Sequence, residues 1–376
     1  MRDDDPVSDP AAELGATNEP APPLTARSIT LAVSVTVTAL LVGVAMLVPT
    51  PYAVTSPGPT FNTLGDVKGK PLIDVVGAPS YDSKGQLRFT TVQLAGGPGF
   101  DVTLPRLLEG WLDGAQTVSP AEVYFPPDVT QEQVDAANAQ EMTTSQEDAT
   151  VAALEELGYS VPATLTIADT VDGSGAAGAL RKDDVLVALD GTPIPGYAEL
   201  TAFMDAVTAG AVVQVTVQRD GAETVVPVTT TADRSGRALL GVLIDPTFHL
   251  PVDVRIQIED VGGPSAGTMF ALGIINELTQ PDETGGNVIA GTGTMALDGE
   301  VGEIGGIRQK MLGARHDGAQ WFLAPVANCG DVVGNEPGGL DVVAVATLHE
   351  ARQAVEAIGR GDGGTLRTCE DVVGQG

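Results

Sequence analysis

Hydrophobic positions along this chain follow three rhythms. From Ser28 to Val48 no residue is charged, and the apolar run is long enough to cross a bilayer. Leu72–Val76 and Leu87–Leu94 alternate or run apolar as strands do, whereas 131–157 places Val134, Ala137, Ala152 and Leu154 at helical spacing. Between 164 and 230, two β-rich runs, Val185–Leu189 and Val212–Val217, flank a predicted helix at 198–207. From Gly241 strands and helices alternate. Strands are predicted at 252–256, 288–297 (a pair), 321–324 and 340–345, and helices at 265–278, 307–315 and 348–358. The prolines and glycines from Pro51 to Gly65 read as a linker with turns. The sum is a mixed α/β (α+β) chain behind one apolar segment, long enough for two domains with cores.

Charge then narrows the surroundings. With 19 Lys and Arg against 50 Asp and Glu, the net charge is −31, so nucleic acid and anionic lipid headgroups are poor partners. Aromatic residues make up 4% of the chain, too few for a platform on which single-stranded bases stack. Arg2 and Arg27 precede the apolar run and the next basic residue is Lys68. The positive-inside rule therefore puts the N-terminus in the cytoplasm and the body outside. No small-x-small cleavage site follows the run, so an uncleaved anchor in the cell membrane is expected. Residues 1–26, rich in Asp, Pro and Ala, read as a disordered cytoplasmic tail. The only two cysteines, Cys329 and Cys369, lie beyond the span, where thiols oxidise, and are expected to pair. No HExxH sequence or four-cysteine set offers a metal site, and no cofactor is expected.

Two glycine-rich segments carry the candidate chemistry. Gly262-Gly263-Pro264-Ser265-Ala266-Gly267 runs straight into apolar residues, which puts a serine in a turn where a helix begins. The first N–H groups of a helix have no partner within it, so those of Ser265 and Ala266 are candidates to hold an oxyanion. In Gly302-Glu303-Ile304-Gly305-Gly306-Ile307-Arg308-Gln309-Lys310-Met311-Leu312, the lysine shares a helical face with Ile307, Met311 and Ala314. Burial penalises the charged form of an amine and lowers its pKa. A neutral amine beside a serine hydroxyl is a general base beside its nucleophile. Taken singly, the serine reads as a helix cap and the lysine as a snorkelling side chain. Other chemistries find less support. His249, His316 and His349 lie in no recognisable triad motif, and no Gly-x-x-x-x-Gly-Lys-Ser/Thr sequence signals an ATP site.

Together the two segments resemble the serine–lysine protease domain of the Lon family, over roughly residues 235–358. The whole pattern is similar to the smaller, membrane-anchored members that carry a PDZ module and lack the ATPase. In that family Gly-Pro-Ser-Ala-Gly holds the nucleophile and Pro-Ile-Gly-Gly-Leu-Lys-Glu-Lys ends on the catalytic lysine. The resemblance implies that Ser265 and Lys310 are the catalytic dyad, and that Thr292, in Gly291-Thr292-Gly293, supports the amine. Where ATP-dependent members have Lys-Asp before Gly-Pro-Ser, this chain has Val261-Gly262, a departure that touches gating and leaves the dyad intact. Residues 176–191 resemble a PDZ domain, with Asp183 where glycine is usual; Asp tolerates a left-handed turn. Leu157-Gly158-Tyr159 is the candidate peptide-binding loop of that module.

Residues 85–92 look like the early strand of a Lon protease domain, which would make the PDZ module an insertion. The implied order is a tail at 1–26, an anchor at 27–49 and the N-terminal part of the protease region at 50–160. A PDZ-like domain at 161–232, a proteolytic domain at 235–360 and a C-terminal tail at 361–376 follow. The implied function is an ATP-independent serine endopeptidase for membrane-associated or secreted proteins and peptides, assembled as a homo-oligomeric ring as Lon-like domains often are. The alternative is a PDZ scaffold on an inactive protease fold.

Overall fold

The computed structural model describes residues 25–126, 128–233, 235–258 and 261–374, so the tail expected at 1–26 lies outside it apart from its last two residues. Helix α1 (Ala26–Ala45) starts where the Thr25 side chain accepts from the Ser28 N–H, and it buries none of its residues. Its 20 residues rise about 30 Å, the thickness of a bilayer's hydrocarbon core. It is one helix long and apolar enough to cross a membrane.

After it come β1 (Pro49–Thr50), β2 (Tyr52–Asn62), β3 (Ile73–Val76), β4 (Gln86–Ala95), β5 (Val102–Thr103), α2 (Leu104–Leu112), β6 (Thr117–Pro120) and the long α3 (Gln131–Glu156). A second group holds β7 (Ala163–Thr170), β8 (Val185–Leu189), α4 (Tyr197–Asp205), β9 (Val212–Arg219), β10 (Ala222–Thr229) and β11 (Val242–Phe248). The last group begins with β12 (Asp253–Ile256), α5 (Gly267–Leu278), β13 (Val288–Gly291), β14 (Thr294–Met295) and β15 (Val301–Gly302). It ends with α6 (Ile307–His316), β16 (Trp321–Pro325), β17 (Asp341–Val345) and the helices Leu348–Arg360 and Cys369–Val373.

The larger sheet has the order β17-β16-β13-β4-β2-β6. Strands β4, β13, β16 and β17 run parallel, and β2 is antiparallel to both β4 and β6. Helices cover both faces of the parallel part, which is why its strands read as continuous apolar runs. Leu87, Phe89, Ile289 and Leu323 face α5, packing with Phe270, Ile274 and Ile275. The alternate residues Ala290, Phe322 and Ala324 face α6, against Ile307, Met311 and Ala314. Early strands thus complete the sheet of the late ones.

Two expectations need correction here. The linker expected at Pro51–Gly65 is the 11-residue strand β2. Pro57-Gly58-Pro59 breaks its alternation, and its pairing with β4 shifts register between Pro57 and Thr60. Proline cannot donate to a ladder and is tolerated at such a bulge. The tail expected at 361–376 is, as far as residue 374, held against the body. Its short helix buries Cys369, which forms a disulfide with Cys329, and Thr368 bridges to Val343.

The smaller sheet is antiparallel throughout, in the order β10-β9-β8-β7-β11. Leu165, Ile167, Leu186, Leu189, Val213 and Val215 form its core with Leu200 of α4. Asp183 takes the left-handed φ of 69° that its place in the motif demands. A third correction concerns the boundary at 232, because β11 pairs with β7 as far as Phe248. At the base the His249 N–H donates to Pro162 O at 2.8 Å, so the module leaves and rejoins the rest of the chain at one point.

The disulfide closes a 40-residue loop, worth about 4 kcal/mol in the chain-entropy account. Reductant should lower the melting temperature of the wild type by several degrees and leave that of Cys369→Ser unchanged. Equal melting of the wild type with and without reductant would remove the stabilising role.

Candidate active site

Helix α3 sets the loop that carries Ser265. Gly263, at a φ of 85°, donates its N–H to Asn138 O at 3.2 Å, and Ser145 Oγ donates to Pro264 O at 3.0 Å. The Gly267 N–H reaches back to Pro264 O at 3.4 Å, closing a turn around Ser265. Helix α5 therefore begins at Gly267 and not at the serine itself. A side chain at Gly267 would put its Cβ 2.9 Å from Met295 N, so only glycine lets this helix start against β14. Among the described residues, no acceptor takes the N–H of Ser265 or Ala266.

Thr292 follows the last residue of β13 and is fully buried. Its Oγ1 donates to Ser265 O at 2.9 Å, and the Gly293 N–H donates to the same oxygen at 3.0 Å. Helix α6 starts after Gly306, which has a φ of 69°, and brings Lys310 round to its buried face at 2% exposure. Lys310 Nζ lies 2.7 Å from Ser265 Oγ and 2.9 Å from Thr292 Oγ1. Burial pulls its pKa from 10.5 to about 7, because a charged ammonium here would lose its water. Thr292 has committed its one proton to Ser265 O, so it can only accept from the amine. That leaves the amine's lone pair for the Ser265 proton.

A cleft of about 250 Å³ opens on these groups. Thr91, Val92 and Gln93 of β4 form one wall, and Gly262 and Gly263 form another, with Phe89, Met142 and Ala266 inside. Strand β13 pairs with β4 only from Gln86 to Phe89. Beyond that point the same edge of β4 has no strand beside it among the described residues and runs along the cleft.

The structure brings Ser265, Ala266, Thr292 and Lys310 together, and it separates the other expected site. Leu157 caps α3, Gly158 takes a φ of 82° and the Tyr159 N–H returns to Leu154 O, all as a helix ending. The small module's groove, about 400 Å³, lies instead between β11 and α4, lined by Tyr197, Leu200, Met204, Leu240, Gly241 and Ile244. The signal for it is Leu239-Leu240-Gly241-Val242, a left-handed glycine between apolar residues just before a strand. None of the three histidines lines the cleft; His249 sits beside Thr164 and His349 beside Glu156. Asn138 and Ser145 carry no local signal, because their partners lie more than a hundred residues away.

Comparison with known proteins bears on the same segments. Residues 234–353 match the Lon protease (S16) C-terminal proteolytic domain. The chain is 38% identical over 86 residues to Lon protease of Clostridioides difficile, which covers 22% of this chain and 11% of that protein. It is 33% identical over 93 residues to Lon protease 1 of Bacillus subtilis, covering 24% and 12%. The chain thus matches only about a tenth of the length of these curated relatives. Among solved structures, the PDZ domain of an SdrC-like protein from Listeria monocytogenes aligns over 22% of this chain and 86% of that one, at 17% identity and a TM-score of 0.21. The PDZ domain of an SdrC-like protein from Listeria innocua aligns over 22% and 92%, at 20% identity and a TM-score of 0.21. The matched residues include Ser265, Thr292 and Lys310.

The buried amine also makes a stability prediction. Between pH 7 and 10.5 the unfolded chain holds a proton on Lys310 that the folded chain has given up, so this group's contribution to stability rises with pH across that window. Lys310→Met should be more stable than wild type by about 2 kcal/mol at pH 7. In chemical denaturation the advantage should shrink as pH approaches 10. A lead independent of pH would mean that the lysine is not held neutral by burial.

Proposed function

We propose that this chain is a membrane-anchored serine endopeptidase that hydrolyses peptide bonds through Ser265 and Lys310, with no ATP motor in this sequence. The observation that carries the reading is a buried amine, unpaired with any carboxylate among the described residues, 2.7 Å from a serine hydroxyl at the mouth of a cleft. Neutral Lys310 takes the Ser265 proton as Oγ attacks a peptide carbonyl. The free N–H groups of Ser265 and Ala266 stabilise the oxyanion. The protonated lysine returns its proton to the leaving amine, and water, deprotonated by the same amine, resolves the acyl-enzyme. Thr292 positions the amine. The open edge of β4 suits an extended substrate added as a strand.

The small module is read as PDZ-like from its sequence motif and from a groove between a strand and a helix, the arrangement that takes a peptide end by strand addition. It governs which substrates are cut and supplies no reacting group. Helix α1 anchors the chain, with the body outside the cytoplasm by the charge flanking it. Substrates are membrane-associated or secreted proteins, and a ring of copies is the assembly that the Lon likeness suggests. An inactive scaffold is the competing reading, and labelling of Ser265 by a serine-reactive phosphonate separates the two.

Ser265→Ala and Lys310→Ala should each lower peptide hydrolysis by at least about 10³-fold, and the double variant should be hardly worse, since nucleophile and base act as one unit. Lys310→Arg should fail equally, because guanidinium stays protonated. Wild-type activity should rise with pH through about 7 as the amine loses its proton. Thr292→Val should do partial damage. Full activity in a folded Lys310→Arg protein would overturn the mechanism.

Replacing residues 163–248 by a short linker between Pro162 and His249 should spare cleavage of a small unstructured peptide and slow cleavage of natural protein substrates. Equal slowing of both would make the module part of the catalytic scaffold.

A further inference from the structure

Helix α2 has three faces. Leu107 and Gly110 are buried and hold it to the body. At 100° per residue, Arg106 and Glu109 share a second face, where they form an ion pair at 2.8 Å. Leu108, Trp111 and Leu112 share the third, at 41%, 60% and 86% exposure. Nothing among the described residues is seen to cover this third face, and Phe100 and Val123, on either side of α2 in sequence, are also exposed at 64% and 66%.

The position of α2 says what covers it. Thr103, the cap residue before α2, pairs with Pro49, and Val102 pairs with Thr50. Thr50 Oγ1 also donates to Val102 O at 2.7 Å. Pro49 follows Leu47 and Val48, the last residues of the uncharged run, which are 77% and 51% exposed. The Ala121 N–H donates to Pro51 O at 3.0 Å, fastening the Val123 turn to the same point. The exposed apolar helix is therefore tied to the residue at which the spanning segment leaves the bilayer. A second copy or a substrate has no such fixed address.

We infer that α2 lies in the bilayer interface, with Leu108, Trp111 and Leu112 inserted among lipid headgroups and upper acyl chains. An apolar face bearing tryptophan and leucine, bounded by a charged face, is the pattern of helices that lie in the plane of a membrane. The net charge of −31 argues against capture by anionic lipid, so zwitterionic lipid suffices. The docking also reaches the proposed catalytic centre. Arg308 donates to Gly114 O at 2.6 Å and Gln309 to Thr117 Oγ1 at 2.7 Å, so α6, which carries Lys310, is bonded to the chain just after α2. With α2 in the interface, the cleft is held at one height above the membrane. The inference rests on α1 spanning a membrane.

The test uses the full chain in phosphatidylcholine vesicles made with and without 6,7-dibrominated acyl chains. Trp111 and Trp321 are the only tryptophans, so Trp111→Phe leaves Trp321 as the control. Emission of the wild type should fall about twofold with brominated lipid, and that of Trp111→Phe should not change. Leu108→Glu/Leu112→Glu should still float with the vesicles through α1 but lose most of the quenching. A chain that floats while Trp111 is no more quenched than Trp321 would overturn the docking and leave the anchor standing. Cross-linking of copies through Trp111 in that case would assign the face to a second copy. A chain that does not float would overturn both readings.

Discussion

The site depends on a buried lysine that has no counter-ion among the described residues. A charged amine at that position would cost several kcal/mol in lost hydration, so the fold tolerates Lys310 by making neutrality the cheaper state. The hydroxyls of Ser265 and Thr292 give the neutral amine partners without supplying a charge that would hold its proton. The sheet makes the meeting possible. Helix α5 lies on one face and α6 on the other, and β13 ends between them, so Thr292 turns into the gap where serine and lysine approach. A site at the carboxyl end of parallel strands follows from this layering, since there the connections leave the sheet on opposite faces.

The stretch that matches the Lon-type domain, 234–353, holds the three polar groups and the glycine wall of the cleft, but not the wall facing it. Strand β4 forms one side of the cleft, and Thr90 Oγ1 donates to Gly291 O at 3.2 Å across 201 positions. Helix α3 fixes the serine loop through Asn138 and Ser145. Thr60 of β2 donates from both N–H and Oγ1 to Asp317 Oδ2, at 3.1 and 2.7 Å, and so secures the C-terminal end of α6. The fold that surrounds the site is therefore split in the chain and joined in space. The inserted module disturbs it little, because the two ends of the insertion are hydrogen-bonded neighbours at Pro162 and His249.

Much of this was legible in the order of residues, for identifiable reasons. Strands β13 and β16 and the Val342–Val345 part of β17 are largely buried and read as apolar runs, and α6 shows its buried stripe at Ile307, Met311 and Ala314. Ser265 and Lys310 stood out because glycines flank them, and glycine marks places where a backbone turns left or another chain comes close. Leu157–Tyr159, read as a binding loop, ends a helix, since a glycine ending a helix and a glycine opening a binding loop look alike locally. Helix α2 escaped notice because its nine residues are too short for a clear period and its apolar arc includes an exposed part as well as a buried one. The contacts of Asn138 and Ser145 could not be seen at all, because tertiary pairing leaves no trace in one strand of sequence.

The strand hidden by its prolines is also the one that joins the parts. Gly58 sits in the bulge of β2, where a side chain would meet the Thr91 backbone at 2.8 Å. Gly313 of α6 comes close to the same bulge, and a side chain on it would lie 2.9 Å from Gly58 O. Two residues without Cβ atoms thus let α6 settle directly on β2. That close seat brings Lys310, one turn earlier on the same helix, within reach of Ser265 across the end of the sheet. An unbroken strand with a side chain at 58 would have been easier to recognise. It would also have pushed β2 and β4 apart, and with them the helix that supplies the amine. The feature that defeats the strand pattern in the sequence is thus a condition for the geometry of the site.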